Sequence, residues 1–355
     1  MGYCPSWSFL QHAPWRVYIQ GHCVPGEVLE GVSSKRDRLM SRNELENEAP
    51  TRAGYVALVG RPNVGKSSLL NALIGEKLSI VTSRAQTTRE RVTGILTTES
   101  AQIVFVDTPG LLEPRYLLQH SMLEAALGAL DDADVVLLLL DPTRDSAPVP
   151  EGEALDALQR RRDRLVVAIN KVDVGKRDAV DTLDRWSRSV FGIEPIRISA
   201  HTGAGLDELL SALLSYLPES PFLFPPDEIA TQPVRFFVSE LVRGTIFEEY
   251  EQEVPYSTAV RIEEFRESED PVVIRAVIFV ERESQKAILI GRKGEAIRRL
   301  GIRSREKIEA FIGRPVYLDL WVKAMPRWRK KRSALEHLGY PVPTRASGGD
   351  IPPDS

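Results

Sequence analysis

Cysteine and histidine are scarce in this chain of 355 residues. The two cysteines, Cys4 and Cys23, both fall in the first 25 residues, so no disulfide framework or cysteine-based zinc site can be assembled. Five histidines are scattered through the sequence, which leaves a Ser-His-Asp or Cys-His nucleophilic site without support. Long apolar runs are missing too. The longest, Val135 to Leu140, is strand-sized, well short of the ~20 residues a membrane helix needs. A net charge of −4 suggests no nucleic-acid partner, but that average hides a polarity. From Lys286 to Arg332 there are fifteen Lys and Arg against four acidic residues. One half of the molecule is basic enough to meet a polyanion.

What is present reads as two domains. Residues 1–50 show no helical or strand period and are expected to be a disordered extension, or sequence upstream of a true start near Met40. Gly2 and Ser6 fit a loose myristoylation pattern, and acids are absent before Glu27, but no arginine-rich amphipathic helix marks a transit peptide. Residues 51–218 form the first domain, 219–232 a proline-rich linker, 233–340 the second domain and 341–355 a mobile tail.

In the first domain, strands are expected at Tyr55-Val59, Arg91-Thr97, Gln102-Val106, Asp134-Leu140, Leu165-Ile169 and Pro195-Ile198. Helices are expected at Lys66-Leu73, Met122-Leu130, Leu155-Arg162, Asp178-Ser189 and Leu206-Leu217. The strands are apolar throughout, which predicts an α/β domain with a mostly parallel sheet buried on both faces and a ligand at the strands' carboxyl ends. In the second domain, strands are expected at Val234-Val242, Ser257-Phe265, Val272-Val280 and Val316-Val322, with helices at Ser284-Leu289 and Glu295-Phe311, an α+β unit.

Three strings sit at those carboxyl ends. Gly60-Arg61-Pro62-Asn63-Val64-Gly65-Lys66-Ser67, with Ser68, is a glycine-rich phosphate loop whose backbone N–H groups can surround phosphates. Lys66 supplies a cation to the β- and γ-phosphates, and Ser67 a hydroxyl to Mg²⁺. Asp107-Thr108-Pro109-Gly110-Leu111 follows an apolar strand, so the buried Asp107 carboxylate needs a partner, and Mg²⁺ reached through water is the expected one. Gly110 can present its N–H to the γ-phosphate, making the segment from Thr108 to about His120 a switch. Asn170-Lys171-Val172-Asp173 is a base-selecting string. Its Asp173 carboxylate can accept hydrogen bonds from the guanine N1–H and N2 amino groups, which adenine lacks, a discrimination of roughly 10⁴ or more. Lys171 can cover the ring, and the Ser199-Ala200 turn can offer a backbone N–H to the guanine O6. Between the first two strings, Gln86-Thr87-Thr88-Arg89 suits a first switch, with the Thr88 hydroxyl as a second Mg²⁺ ligand. Together these describe a site that binds and hydrolyses GTP to GDP. Leu111 stands where many GTPases place a water-orienting Gln, so hydrolysis should be slow. The Asn63 amide could help hold K⁺ against the phosphates.

In the second domain, Gly291-Arg292-Lys293-Gly294 lies between two apolar helices, the arrangement of the backbone-clamping loop in type II KH domains, with Arg298 on the following helix. Trp328, Arg329, Lys330 and Lys331 add cations and a ring for stacking on single-stranded RNA.

These strings, in this order, closely resemble the Era family of bacterial GTPases, over about Gly54 to Tyr340. The resemblance implies a P-loop GTPase domain followed by a type II KH domain, and a role in small-subunit (30S) assembly. It implies that the KH domain binds the single-stranded 3′ end of 16S ribosomal RNA under control of the nucleotide state. It further implies a cytoplasmic monomer with peripheral association at the inner membrane, and absence of the water-orienting Gln. The first 50 residues and the tail depart from the family, which leaves organellar targeting open. An RNA-binding module holding GTP as a structural ligand, with negligible turnover, is the alternative reading.

Overall fold

The computed structural model describes residues 50–82, 84, 86–143 and 149–342; the expectations for 1–49 and 343–355 lie outside the described residues. Six strands build the first sheet: β1 (Arg52–Val59), β2 (Val92–Thr97), β3 (Ala101–Asp107), β4 (Val135–Leu140), β5 (Leu165–Ile169) and β6 (Ile196–Arg197). Their order is β2-β3-β1-β4-β5-β6, with β2 antiparallel to β3 and every other pairing parallel. Alternate residues of each central strand feed two separate cores. Val56 and Leu58 of β1 pack with Leu69, Leu70 and Leu73 of α1 (Lys66–Ile74) and with Leu209 and Leu213 of α5 (Leu206–Tyr216). Ala57 and Val59 face the other way, toward α2 (Leu117–Asp132), α3 (Gly152–Arg160) and α4 (Arg177–Phe191). Burial on both faces is why these strands carry no polar alternation.

The second domain runs helix, two strands, two helices, strand. Its helix α6 spans Val234–Glu249, where a strand over Val234-Val242 is expected from the sequence. The β-branched and aromatic run Val-Arg-Phe-Phe-Val has strand-like local preference. Tertiary burial decides otherwise: Val238, Val242 and Ile246, spaced four apart on one helical face, have no exposed surface. The sheet therefore has three strands, β7 (Ala259–Arg266), β8 (Val272–Val280) and β9 (Val316–Ala324), with β8 central, antiparallel to β7 and parallel to β9. Helices α7 (Glu283–Ile290) and α8 (Glu295–Ile312) precede β9, and a short α9 (Arg332–Leu338) follows it.

The linker lies along the first sheet. Gln102 of β3 is buried and accepts from the N–H groups of Leu223 (2.8 Å) and Phe224 (2.9 Å) while donating to the Phe224 carbonyl (2.9 Å). Further along, the outer N–H groups of β2 bond to the same segment: Thr93 to Gln232 Oε1 (3.2 Å) and Ile95 to the Ile229 carbonyl (2.9 Å).

The two domains share a core. Leu118 and Met122 of α2 pack with Val277 and Phe279 on the outer face of β8 and with Trp328, Leu335 and Tyr340. Beside it, Arg84, Thr87 and Arg89 meet the second domain. Arg84 donates to the Tyr250 carbonyl and Arg243 of α6 to that of Thr87, while Arg89 reaches several carbonyls beyond α6.

Glu90, half-buried in this seam, has its carboxyl raised to about 7, first by burial, then by Glu240, with Arg243 and Arg89 opposing. A carboxyl that holds its proton more tightly folded than unfolded favours the fold at low pH, and that contribution disappears as pH rises through about 7. Glu90→Gln should accordingly raise the melting midpoint at pH 8 and leave it nearly unchanged at about pH 4, below the ordinary glutamate range, as read by thermal denaturation.

Candidate functional site

β1 ends at Val59, and the chain then turns sharply enough that only glycine fits at two places. At Gly60 (φ +148°) a Cβ would lie 2.6 Å from the Leu139 carbonyl oxygen, and at Gly65 (φ +98°) 2.3 Å from Asn170 Nδ2. Gly65 caps α1 without any side-chain acceptor, and no acid lies in the first helical turn, so the positive end of the helix faces the cleft uncompensated. Lys66 is buried and folded back, donating to the carbonyls of Gly60 (3.1 Å) and Arg61 (3.2 Å). Burial lowers its pKa to about 8, with Asp107 pulling the other way. A phosphate group here would restore the ammonium's charge balance. The other loop residues serve through their backbone: the Val64 side chain is in the core and that of Arg61 points out toward the Val149 carbonyl (3.5 Å). Ser68 and Asn63 line the cleft.

Three side-chain oxygens expected around Mg²⁺, that of Asp107 through water, converge. Ser67 Oγ lies 2.7 Å from Asp107 Oδ2 and 3.0 Å from Thr88 Oγ1, and Thr88 Oγ1 lies 3.3 Å from the same carboxylate oxygen. Adjacent oxygens around an octahedral Mg²⁺ are about 2.9 Å apart, given metal–oxygen distances of ~2.0–2.1 Å. Asp107 has no exposed surface, its Oδ1 has no hydrogen-bond partner, and burial pushes its pKa up against the nearby Lys66. An all-oxygen cluster around a buried carboxylate with an unsatisfied atom fits this cation.

The rest of the Asp107 string divides. Gly110 lines the cleft and packs so closely on Pro62 that a Cβ would meet its ring at 2.6 Å. Thr108 and Leu111, expected at the phosphates, are engaged elsewhere. The Thr108 hydroxyl donates to the Leu58 carbonyl (2.8 Å), and the Leu111 N–H to that of Gly60 (2.9 Å). The Leu111 side chain is buried in the core beside Val59, Leu138 and Leu140, because a leucine after the strand end is drawn inward. Pro109 has no N–H to offer.

At the other end of the cleft, Asn170 braces two loops, donating to the Val64 carbonyl (2.9 Å) and accepting from the Ala200 N–H (3.0 Å). Lys171, at φ +62°, lays its side chain across the phosphate loop to the Asn63 carbonyl (2.6 Å) and to Asp141 (2.7 Å). Asp173 is exposed beyond it, two residues after Lys171, and the Val172 N–H bonds to the Ile198 carbonyl (3.3 Å). The expected N–H donor from Ser199-Ala200 is not available in this conformation. Ser199 bonds to the Ala204 carbonyl (2.9 Å) and Ala200 to Asn170, since the loop closes on itself. Sequence reasoning missed Asp141, which holds Lys171, and residues Ile80, Val81 and Thr82, which line the cleft together with Thr87 of the expected first switch. None of the missed residues belongs to a recognisable string; Ile80 is placed by its packing beside Gly244 of α6, and Asp141 by Lys171 and Thr143.

The Gly291–Gly294 turn joins α7 to α8 with Gly291 at φ +70°, Lys293 at +53° and Gly294 at +80°. A Cβ on Gly291 would lie 2.5 Å from that of Ala296, so the turn is tight enough for another backbone to approach. Many of the basic residues of this region are already paired: Arg299 and Arg303 with Glu249, Lys307 with Glu248, Lys323 with Glu263. Arg292, Lys293 and Arg298 are exposed at the turn, and no ion pair holds them among the described residues.

Trp328 is not a stacking platform. It has no exposed surface, donates from Nε1 to the Ser257 carbonyl (2.9 Å) and stacks on Tyr340 at 5.9 Å. A large apolar ring at a domain seam is worth more buried than wet. Arg329 is likewise withdrawn, paired with the half-buried Glu281 and lying over the Tyr116 ring at 5.1 Å. Lys330 and Lys331 stay exposed.

Comparison with known proteins agrees with this geometry. Residues 55–171 match the family described as 50S ribosome-binding GTPase and residues 253–329 the KH domain family. GTPase Era of Aquifex aeolicus is 42% identical over 300 residues, covering 81% of this chain and 99% of its own. That of Carboxydothermus hydrogenoformans is 39% identical over 292 residues, with 81% and 98% covered. Among solved structures, an Aquifex aeolicus Era variant bound to GDP and aluminium fluoride superposes with a TM-score of 0.75 at 40% identity, covering 82% and 99%. Era in complex with MgGDPNP and nucleotides 1506–1542 of 16S ribosomal RNA gives 0.74 at 39% identity, with 82% and 99% covered.

Replacing Gly65 tests the loop directly. Gly65→Ala forces a methyl into the Asn170 amide at a left-handed φ. Affinity for a fluorescent GDP should fall at least about tenfold, with far-UV circular dichroism unchanged.

Proposed function

The chain belongs to the Era family of GTPases, and from that premise we propose that its nucleotide state controls how its KH domain holds the single-stranded 3′ end of 16S ribosomal RNA during assembly of the 30S subunit. GTP binding and hydrolysis follow from the family. The RNA partner rests on the solved Era complex, which holds 16S nucleotides together with MgGDPNP. The observation in this chain that carries the reading is the sorting of charge. Seven of the fifteen cations from Lys286 to Arg332 are paired with acids, whereas the three at the turn, Arg292, Lys293 and Arg298, have no ion pair among the described residues. A single strand laid across the turn would meet uncompensated charge there.

At the nucleotide, Lys66, the α1 N-terminus and the loop amides bind and orient the phosphates. Ser67, Thr88 and Asp107 would hold Mg²⁺, which supplies charge neutralisation at the β- and γ-phosphates. Asp173 selects guanine, with Lys171 and the Asn170 brace fixing its loop. The family likeness also grounds a cytoplasmic monomer with peripheral attachment to the inner membrane. No helix among the described residues is long and apolar enough to cross a membrane.

The experiment is an RNA titration of the GTP-analogue-loaded, GDP-loaded and empty protein, using the 3′ end of 16S RNA. Distinct affinities are expected. Arg292→Ala with Lys293→Ala should weaken binding in all three states and flatten the salt dependence by about 1.4 logarithmic units per decade. Equal affinities in the three states would remove the switch. Undetectable phosphate release, with RNA present, would leave an RNA-binding module that merely holds GTP.

Leu111, sealed in the core, gives the attacking water no side-chain partner at that position. The Asn63 amide is therefore proposed to help place K⁺ against the phosphates, supplying positive charge as the γ-phosphate departs. Turnover should be faster in KCl than in NaCl at equal ionic strength; equal rates would refute this role.

A further inference from the structure

The segment that carries Thr88 is held from outside the GTPase domain. On its N-terminal side, Arg243 of α6 donates to the Thr87 carbonyl, and the same guanidinium is fixed by Glu240 one turn earlier. On its C-terminal side, Arg89 donates to the carbonyls of Thr258 (2.6 Å) and Tyr256 (3.0 Å) and to the Tyr340 hydroxyl (3.3 Å), with its guanidinium 5.6 Å from the Trp328 ring. Both arginines are buried, 2% and 5% exposed, and every one of those acceptors except Thr87 belongs to the second domain or to the segment after β9. Between the two anchors lies one residue, Thr88, whose hydroxyl sits in the oxygen cluster with Ser67 and Asp107.

We propose that Arg243 and Arg89 are positioning residues for GTP recognition: a pair of guanidinium straps by which the KH domain holds the Thr88 hydroxyl where the magnesium of bound GTP requires it. This rests on the GTPase reading above and adds what regulates its site. Neither arginine is assigned a contact with nucleotide. Their effect is preorganisation: a switch already seated loses less conformational freedom when the γ-phosphate and Mg²⁺ arrive. Loss of either strap should therefore weaken binding of GTP, which needs the ordered switch, far more than binding of GDP.

The straps also continue toward the RNA. Further along α6, Glu249 pairs with Arg299 (3.0 Å) and Arg303, and Glu248 with Lys307, all on α8, the helix that begins at the Gly291–Gly294 turn. Strain or repacking of α8 on RNA binding has a bonded route through α6 and Arg243 to Thr87. Arginine is needed at both anchors because a planar fork can reach two acceptors that diverge; lysine keeps the charge but loses that geometry.

The test uses the full-length protein with Arg243→Lys, Arg89→Lys and, as a control that loosens the linker without touching the switch, Gln102→Ala. Affinities for GDP and for a non-hydrolysable GTP analogue are measured across a Mg²⁺ titration, alongside melting midpoints. Each lysine variant should lose about tenfold in analogue affinity, the order of one charge-assisted hydrogen bond. Its GDP affinity should stay within about twofold, and half-saturating Mg²⁺ should rise for the analogue alone. Gln102→Ala should lower the melting midpoint without changing the analogue-to-GDP ratio. An unchanged ratio in both lysine variants, or an equal loss for both nucleotides, overturns the proposal. A wild type that binds no guanine nucleotide would instead overturn the GTPase reading itself. If one lysine variant does not fold, the other decides.

Discussion

A buried carboxylate with an unanswered oxygen is the constraint around which the nucleotide end of the molecule is organised. Asp107 stands at the carboxyl end of an apolar strand with no exposed surface. The hydroxyls of Ser67 and Thr88 lie within hydrogen-bond distance of one of its oxygens, while the other has no partner among the described residues. Leaving such a group charged and unpaired in the interior costs several kcal/mol. Lys66 has the mirror problem, a buried ammonium donating to carbonyls among the described residues. Two opposite charges, each short of partners, define where a cation and an anion must bind together. A metal-bound polyphosphate meets both needs at once.

The seam between the domains follows a different logic. Its apolar part, Leu118, Met122, Phe279, Trp328 and Leu335, would hold two bodies together without specifying their registration tightly. Registration comes from Arg89, Arg243 and Arg329, guanidinium groups buried or half-buried among carbonyls, acids and rings. Such groups contribute little net stability because desolvation offsets their attraction, but a misplaced fork leaves donors unsatisfied. The seam is specified more than it is strong, which suits an interface whose job is to respond.

Much of the first domain was legible because its chemistry is local. A backbone that must wrap phosphates needs Gly60 and Gly65 at fixed separation, and strands buried on both faces must be apolar throughout. The Gly291–Gly294 turn was legible for the same reason. What escaped was set by distant partners. Val234-Val242 reads as a strand until its i, i+4 face meets the second core. Trp328 among five cations reads as a stacking ring until Ser257 and Tyr340 enclose it. The Ser199-Ala200 donors and residue Leu111 were assigned to the nucleotide because their strings point that way. Only the folded chain shows that neighbouring protein atoms occupy them.

The linker has a second consequence. β2 is an outermost strand, and an outermost strand offers a row of unmet amides to any other chain that can pair with it. Here Thr93 and Ile95 point those amides at Gln232 and Ile229 of the protein's own connector. The segment that spaces the domains thus doubles as a guard against edge-on self-association, a protection that would vanish with cleavage of the connector even if both domains survived intact.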